Sequence, residues 1–260
     1  NGAGKSSLVK ILSGAEDLST GTMAVRGRPV RFASPRDALE HGVATLYQDL
    51  ALAPGLPIWA NVFMGSELTR PLVLPGLRIL DKKRMATEAR RYLAQLSVPI
   101  EDMSTPVEQL SGGQRQAVAM SRALRWQAGI IIMDEPTAAL GVQESAVVRD
   151  LIRKLKDTGR TVLIVSHNLR DVVALADRVV VMAGGCKRVD RPVQGLDEHE
   201  LARLVMEEHG RDADDSRAAL AFSADSCKHE SAPGGVAAAL QAASGLASPD
   251  ALRGRPGGSS

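Results

Sequence analysis

Ile130-Ile131-Ile132-Met133-Asp134-Glu135 is the stretch on which the fold turns. Four apolar residues in succession, with no polar alternation, read as a strand covered on both faces, as in a parallel sheet. Pro136 stops the run. Two carboxylates arrive at the strand's C-terminal end, the edge at which open α/β sheets bind ligands. An acidic exit from a strand is common by itself, so its meaning depends on what surrounds it.

Downstream, the pattern predicts a helix over Gln143–Asp157 and a second buried strand over Val162–Val165. A helix over Leu169–Ala176 and a strand over Arg178–Met182 follow. Upstream, Ser111-Gly112-Gly113 opens a helix to about Trp126, and a charged helix covers about Lys82–Leu96, apolar at Tyr92, Leu93 and Leu96. Leu52–Leu80, rich in Pro and Gly, reads mostly as loop with a short helix at Trp59–Met64. Val43–Tyr47 is a strand leading to Gln48. Ser34-Pro35-Arg36-Asp37 combines an N-cap, a proline at the first helical position and an acidic first turn, with a helix to Gly42. Two short strands, Met23–Arg26 and Pro29–Phe32, flank a turn at Gly27, after a helix at Lys5–Leu12. Helices alternating with apolar strands give an α/β layered domain with a mostly parallel sheet. We read residues 1–208 as that domain. Residues 209–260, dominated by Ala, Gly, Ser, Asp and Arg without a helical or strand period, read as a disordered tail.

Composition removes several function classes. A formal net charge of +2 gives no bulk electrostatic grip on nucleic acid or anionic lipid, and 3% aromatic residues leave little for base stacking. The apolar runs fall far short of the ~20 residues of a membrane span. The two cysteines, Cys186 and Cys227, have no metal-ligand spacing and read as reduced thiols.

Asn1-Gly2-Ala3-Gly4-Lys5-Ser6-Ser7 matches the back half of a phosphate loop, G-x-x-x-x-G-K-[ST]. Gly2, Ala3 and Gly4 let backbone N–H groups curl around a phosphate, and the following helix adds its positive end through Ser6 and Ser7. Lys5 supplies charge to the β- and γ-phosphates of ATP, and the Ser6 hydroxyl coordinates Mg²⁺. Asp134 is then placed to complete the Mg²⁺ shell, and Glu135 to orient or deprotonate the attacking water. The pattern's first glycine would precede Asn1, so residue 1 reads as a truncation point.

Leu110-Ser111-Gly112-Gly113-Gln114, followed by Arg115 and Gln116, settles the family. Ser111 reads as an N-cap, and two glycines bare the backbone donors of the helix start as a second anion site. With no catalytic carboxylate beside it, that site must act on a nucleotide held elsewhere. The chain thus resembles the ABC-type ATPases over about residues 1–208. The resemblance implies a P-loop cassette with a helical signature subdomain at about 66–126. It also implies that Ser111, Gly112, Gly113 and Gln114 face the γ-phosphate of a second cassette, in a homodimer or with a sister subunit. Gln48 is similar to the family's Q-loop glutamine, a sensor of Mg²⁺ and water. His167 is similar to its switch histidine, which contacts the γ-phosphate. Gly141 stands where the family commonly has an aspartate that helps join two subunits.

Ser34–Ala38 with Gly42-Val43, Tyr47–Leu52, Ala60–Gly65, Ser166–Leu169 and Ala176–Arg178 are similar to bacterial importers of ribose, xylose, galactose or fructose. That resemblance implies a peripheral subunit on the cytoplasmic face of the bacterial inner membrane. Membrane permease subunits would dock near Gln48 and Leu50–Gly65, and a sugar-binding protein would act indirectly, with no nucleic acid partner. The alternatives are a soluble ABC ATPase acting on nucleic acid or ribosomes, or an inactive fragment. Residues 15–109 lack the sustained heptads of the chromosome-maintenance members. The missing strand before the phosphate loop, and the missing adenine-stacking aromatic, predict weak ATP binding and little hydrolysis by this chain alone.

Overall fold

The computed structural model describes residues 3–72, 77–138 and 140–206. Gly2 of the expected phosphate loop and the expected tail at 209–260 lie outside those residues. The chain opens with α1 (Lys5–Leu12), an antiparallel pair β1 (Met23–Val25) and β2 (Arg28–Val30), α2 (Pro35–Glu40) and β3 (Val43–Leu46). There follow α3 (Ile58–Phe63), β4 (Thr69–Pro71), β5 (Arg78–Leu80), α4 (Lys82–Gln95) and α5 (Gly112–Arg125). The second half carries β6 (Ile130–Asp134), α6 (Val142–Asp157), β7 (Thr161–Val165), α7 (Leu169–Leu175), β8 (Arg178–Ala183) and β9 (Cys186–Pro192).

β6 is the middle strand of a parallel sheet ordered β3-β6-β7, paired Val43↔Ile130 on one side and Ile130↔Thr161 on the other. Its residues point alternately to the two faces, as a strand requires. Ile131 and Met133 enter one core with α3, α4, α5 and α6, while Ile130 and Ile132 enter another with α1, β1 and α2. The unbroken apolar run is therefore the direct consequence of two separate cores. α5 is buried along most of its length, with Ala117, Val118, Ala119 and Met120 fully inaccessible. Its alanines let it lie close to the sheet.

The expected elements form within one or two residues of their bounds, with three differences. The expected buried strand at Val162–Val165 is only half-buried along all of β7. It ends the sheet order among the described residues, so its outer edge has less to cover it. The stretch read as loop to Leu80 contains the hairpin β4–β5, whose Thr-Arg-Pro and Arg-Ile-Leu strands are largely exposed and lack an apolar period. β9 was also not expected. It pairs antiparallel with β8 around Gly184 and Gly185, both at positive φ (56° and 77°). Its sequence Cys-Lys-Arg-Val-Asp-Arg-Pro is held by backbone pairing, and ladders carry no sequence signature of their own.

The central position of β6 sets a magnitude. Ile131→Ala should destabilise the fold by about 3 kcal/mol, the usual cost of a large-to-small change in a packed core. Urea unfolding followed by far-UV circular dichroism would measure this, and a loss below about 1 kcal/mol would contradict the placement of Ile131.

Candidate functional site

The sheet's C-terminal edge and the start of α1 form one half of the site. Ala3 is buried, and Gly4 takes the left-handed conformation (φ 88°) as N-cap of α1, with no side-chain cap. The first intrahelical bond runs from Leu8 N–H to Gly4 O at 3.0 Å. The N–H groups of Lys5, Ser6 and Ser7 are thus the unsatisfied donors of a helix start, which suits an anion. A Cβ on Gly4 would come within 3.1 Å of Gly185 Cα, so the loop's glycine is also a packing requirement against the β8–β9 turn. Ser6 and Ser7 are exposed.

Asp134 ends β6 half-buried. Burial raises its carboxyl above the usual range, Glu135 adds to that, and the charge of Lys5 opposes it. Lys5 and Asp134 are therefore close enough to interact electrostatically across the strand end. Glu135 leaves the strand at φ 51°, a left-handed conformation that costs a non-glycine residue about 1–3 kcal/mol. Two anchors hold it there. Its N–H donates to Val165 O at 2.8 Å, and its carboxylate accepts the His167 N–H at 3.1 Å and meets His167 Nδ1 at 2.8 Å. Glu135 and His167, expected to act together, are in direct contact. The Glu135 side chain is 17% exposed and that of His167 77%. Gln48 lies exposed two residues beyond β3 and hydrogen-bonds to neither of them.

The second half is at the start of α5. Ser111 Oγ accepts the Gln114 N–H at 3.2 Å, and Gln114 Oε1 accepts the Ser111 N–H at 3.0 Å, a reciprocal capping box. The expectation of bare donors needs correcting. The Gly112 N–H donates to Glu144 Oε1 of α6 at 2.8 Å, and the Gln114 N–H is taken by Ser111. The two glycines also serve helix packing. A Cβ on Gly112 would sit 2.7 Å from Leu140 Cδ2, and one on Gly113 3.2 Å from Val147 Cγ1. Gly141, the N-cap of α6, has open space around its Cα, so no neighbour excludes a side chain there.

Residues 1–138 match the family described as ABC transporter. The chain is 46% identical over 185 residues to the xylose/arabinose import ATP-binding protein of Sulfolobus acidocaldarius, covering 71% of each. It is 44% identical over 181 residues to the fructose import ATP-binding protein of Rhizobium meliloti, covering 69% of this chain and 70% of that one. The chain belongs to the ABC transporter family. Hydrolysis of ATP is the activity of that family's cassettes, and the chain is an ABC-type ATPase. Against the arabinose import ATP-binding protein of Chromohalobacter salexigens, 40% identical, the match covers 83% of this chain but 42% of that one. A nucleotide-free ATP-binding cassette from an ABC transporter has the same fold, with a TM-score of 0.64 at 23% identity over 79% of this chain and 81% of that one.

A second layer of this cassette was not anticipated from the sequence. Asp171, 2% exposed, accepts Thr137 Oγ1 at 2.5 Å and the Arg149 guanidinium at 2.9 Å. It ties the turn after Glu135 to α6 and to the helix that follows His167. Gln116, one turn into α5, donates through Nε2 to Pro136 O at 2.9 Å. Asp171 reads in sequence as an acidic first-turn residue, and only its burial sets it apart.

The donor set suits Mg²⁺. Among the described residues no three carboxylates, histidines or cysteines cluster as a self-sufficient cage. One half-buried carboxylate, Asp134, and a helix-start hydroxyl, Ser6, leave the remaining positions to phosphates and water, as Mg²⁺ prefers. A folded-state carboxyl held above its unfolded value favours folding most below the unfolded pKa, and that contribution is lost as pH rises through the folded one. Without nucleotide or divalent cation, Asp134→Asn should therefore unfold at no lower urea concentration than wild type at pH 7. The difference should shrink as the pH falls toward about 4, the unfolded value of an aspartate. A variant clearly less stable than wild type at pH 7 would contradict the burial argument.

Proposed function

We propose that the chain is the ATP-hydrolysing subunit of an ABC importer for a pentose or hexose sugar. The observation that carries the catalytic part is the contact of Glu135 with His167 beside Asp134, at the sheet edge that receives the phosphate-loop helix. The transported class rests on the sugar-import relatives and on the motif stretches that resemble them.

In this reading two cassettes sandwich two ATP molecules head to tail. Ala3, Gly4, Lys5, Ser6 and Ser7, with Gly2 ahead of them, hold the phosphates of one nucleotide. Asp134, Ser6 and Gln48 would hold Mg²⁺, which when bound offsets charge on the β- and γ-phosphates. Glu135 accepts the proton of the attacking water, and His167 holds Glu135 in position and reaches the γ-phosphate from its exposed side. Ser111–Gln114 close over the nucleotide of the other cassette once Glu144 releases the Gly112 N–H. The work is electrostatic positioning of an in-line attack.

No helix among the described residues is long and apolar enough to cross a membrane. Force would reach the membrane through permease subunits docked on the segment from Gln48 to Gly65, where the exposed Leu56 and Met64 present apolar surface. In this reading the subunit lies at the cytoplasmic face, with the sugar-binding protein meeting only the permease. In the complete protein, Glu135→Gln should leave ATP binding intact, slow turnover by about 10²–10⁴-fold, and let ATP-bound dimers accumulate. Size-exclusion chromatography with an ATPase assay would read both. Persistent turnover without such dimers would sink the assignment of the base.

A further inference from the structure

Arg122 sits on α5, about 16 Å along the helix from Ser111 at 1.5 Å per residue. Its hydrogen bonds among the described residues end on main-chain carbonyls: Nε on Asn61 O at 2.8 Å, one terminal nitrogen on Ala51 O at 2.9 Å, the other reaching Leu50 O at 3.5 Å. Burial works against its charge. A guanidinium spent on three carbonyls is a geometric device, because only its planar fork of donors can span them together.

The carbonyls it grips belong to one unit. Asn61, fully buried, accepts the Ala53 N–H and donates to the carbonyls of Ala53, Leu56 and Pro57. Ala51 is held at φ 47°, a conformation that needs outside support in a non-glycine residue. One turn along α5, Arg125 lies 4.9 Å over the Phe63 ring and donates to Ser66 O at 2.8 Å. The segment after Gln48 is thus fastened to α5, the helix whose other end carries the signature peptide.

We propose that Arg122 is a positioning residue that makes the segment Leu50–Asn61 move with the signature helix, so that engagement of a nucleotide by Ser111–Gln114 is delivered to the permease-docking surface. This rests on the importer reading above. The prediction is uncoupling. Arg122→Lys keeps the packed stem and the charge but not the fork, and Arg122→Gln removes both.

The test uses the complete transporter in proteoliposomes, with labelled xylose, arabinose, ribose and fructose as the panel. ATPase activity of either variant should stay within about twofold of wild type. Sugar taken up per ATP should fall about tenfold in Arg122→Gln and about threefold in Arg122→Lys, the range expected for loss of one coupling element. Wild-type uptake per ATP in both variants, or uptake and hydrolysis falling in proportion, overturns the proposal. A wild-type complex that hydrolyses ATP but takes up none of the panel removes the importer reading, and the clamp with it. Hydrogen exchange on the wild-type complex needs no variant. Amides 50–61 and 111–125 should change protection together between nucleotide-free and ATP-bound states, and a change in one segment alone also overturns the clamp.

Discussion

Most of the proposed chemistry depends on a single backbone bond, Glu135 N–H to Val165 O. It closes the β6–β7 ladder at the residue after the strand, where Glu135 takes the left-handed conformation. A glycine would meet that geometry more cheaply, but a glycine has no carboxylate. The conformational cost is offset by the parallel ladder on one side and by His167 on the other. Because Glu135 and His167 follow neighbouring strands, the register of β6 against β7 fixes the distance between them before any side chain is chosen. A slip of one residue would turn the carboxylate to the opposite face.

The layer behind the site explains how that geometry resists distortion. Asp171 binds Thr137 and Arg149 from a nearly inaccessible position. Removing one partner would leave a buried charge unmatched, which is far more costly than a surface ion pair is favourable. Gln116 then joins the turn after Glu135 to the signature helix. The two halves of the site, which serve different nucleotides in the proposed dimer, are mechanically continuous within one chain.

The sequence made the chemistry legible where it depends on residue type. Asp134, Glu135 and His167 fall at or just beyond the ends of apolar runs and Lys5 in a glycine-rich motif, and both kinds of pattern can be seen without a structure. Ser111 followed capping rules, so the start of α5 could be placed to the residue, while the reciprocal bond from Gln114 emerged only in the structure. What stayed hidden depends on who meets whom in space. Glu144 lies 32 residues from the amide it binds, and Asp171 34 residues from Thr137. Nothing in the local pattern distinguishes them from the solvated acids of an ordinary helix. The glycines of the signature were legible as a motif, whereas the packing demand behind them, room for Leu140 and Val147, was not. The exposed, charged strands β4, β5 and β9 escaped for a related reason: they are held largely by backbone pairing, which leaves no apolar period in the sequence.

The carboxylate of Glu144 on the Gly112 amide has a consequence for selectivity. An anion arriving at those donors meets an occupied position, so its capture is an exchange of one negative group for another. Weak, singly charged anions gain little from such an exchange. In the proposed dimer, a multiply charged nucleotide phosphate delivered by the opposing cassette is the ligand with most to gain from displacing it. In that reading the helix start is guarded against small anions while staying open to a ligand that comes with a subunit attached.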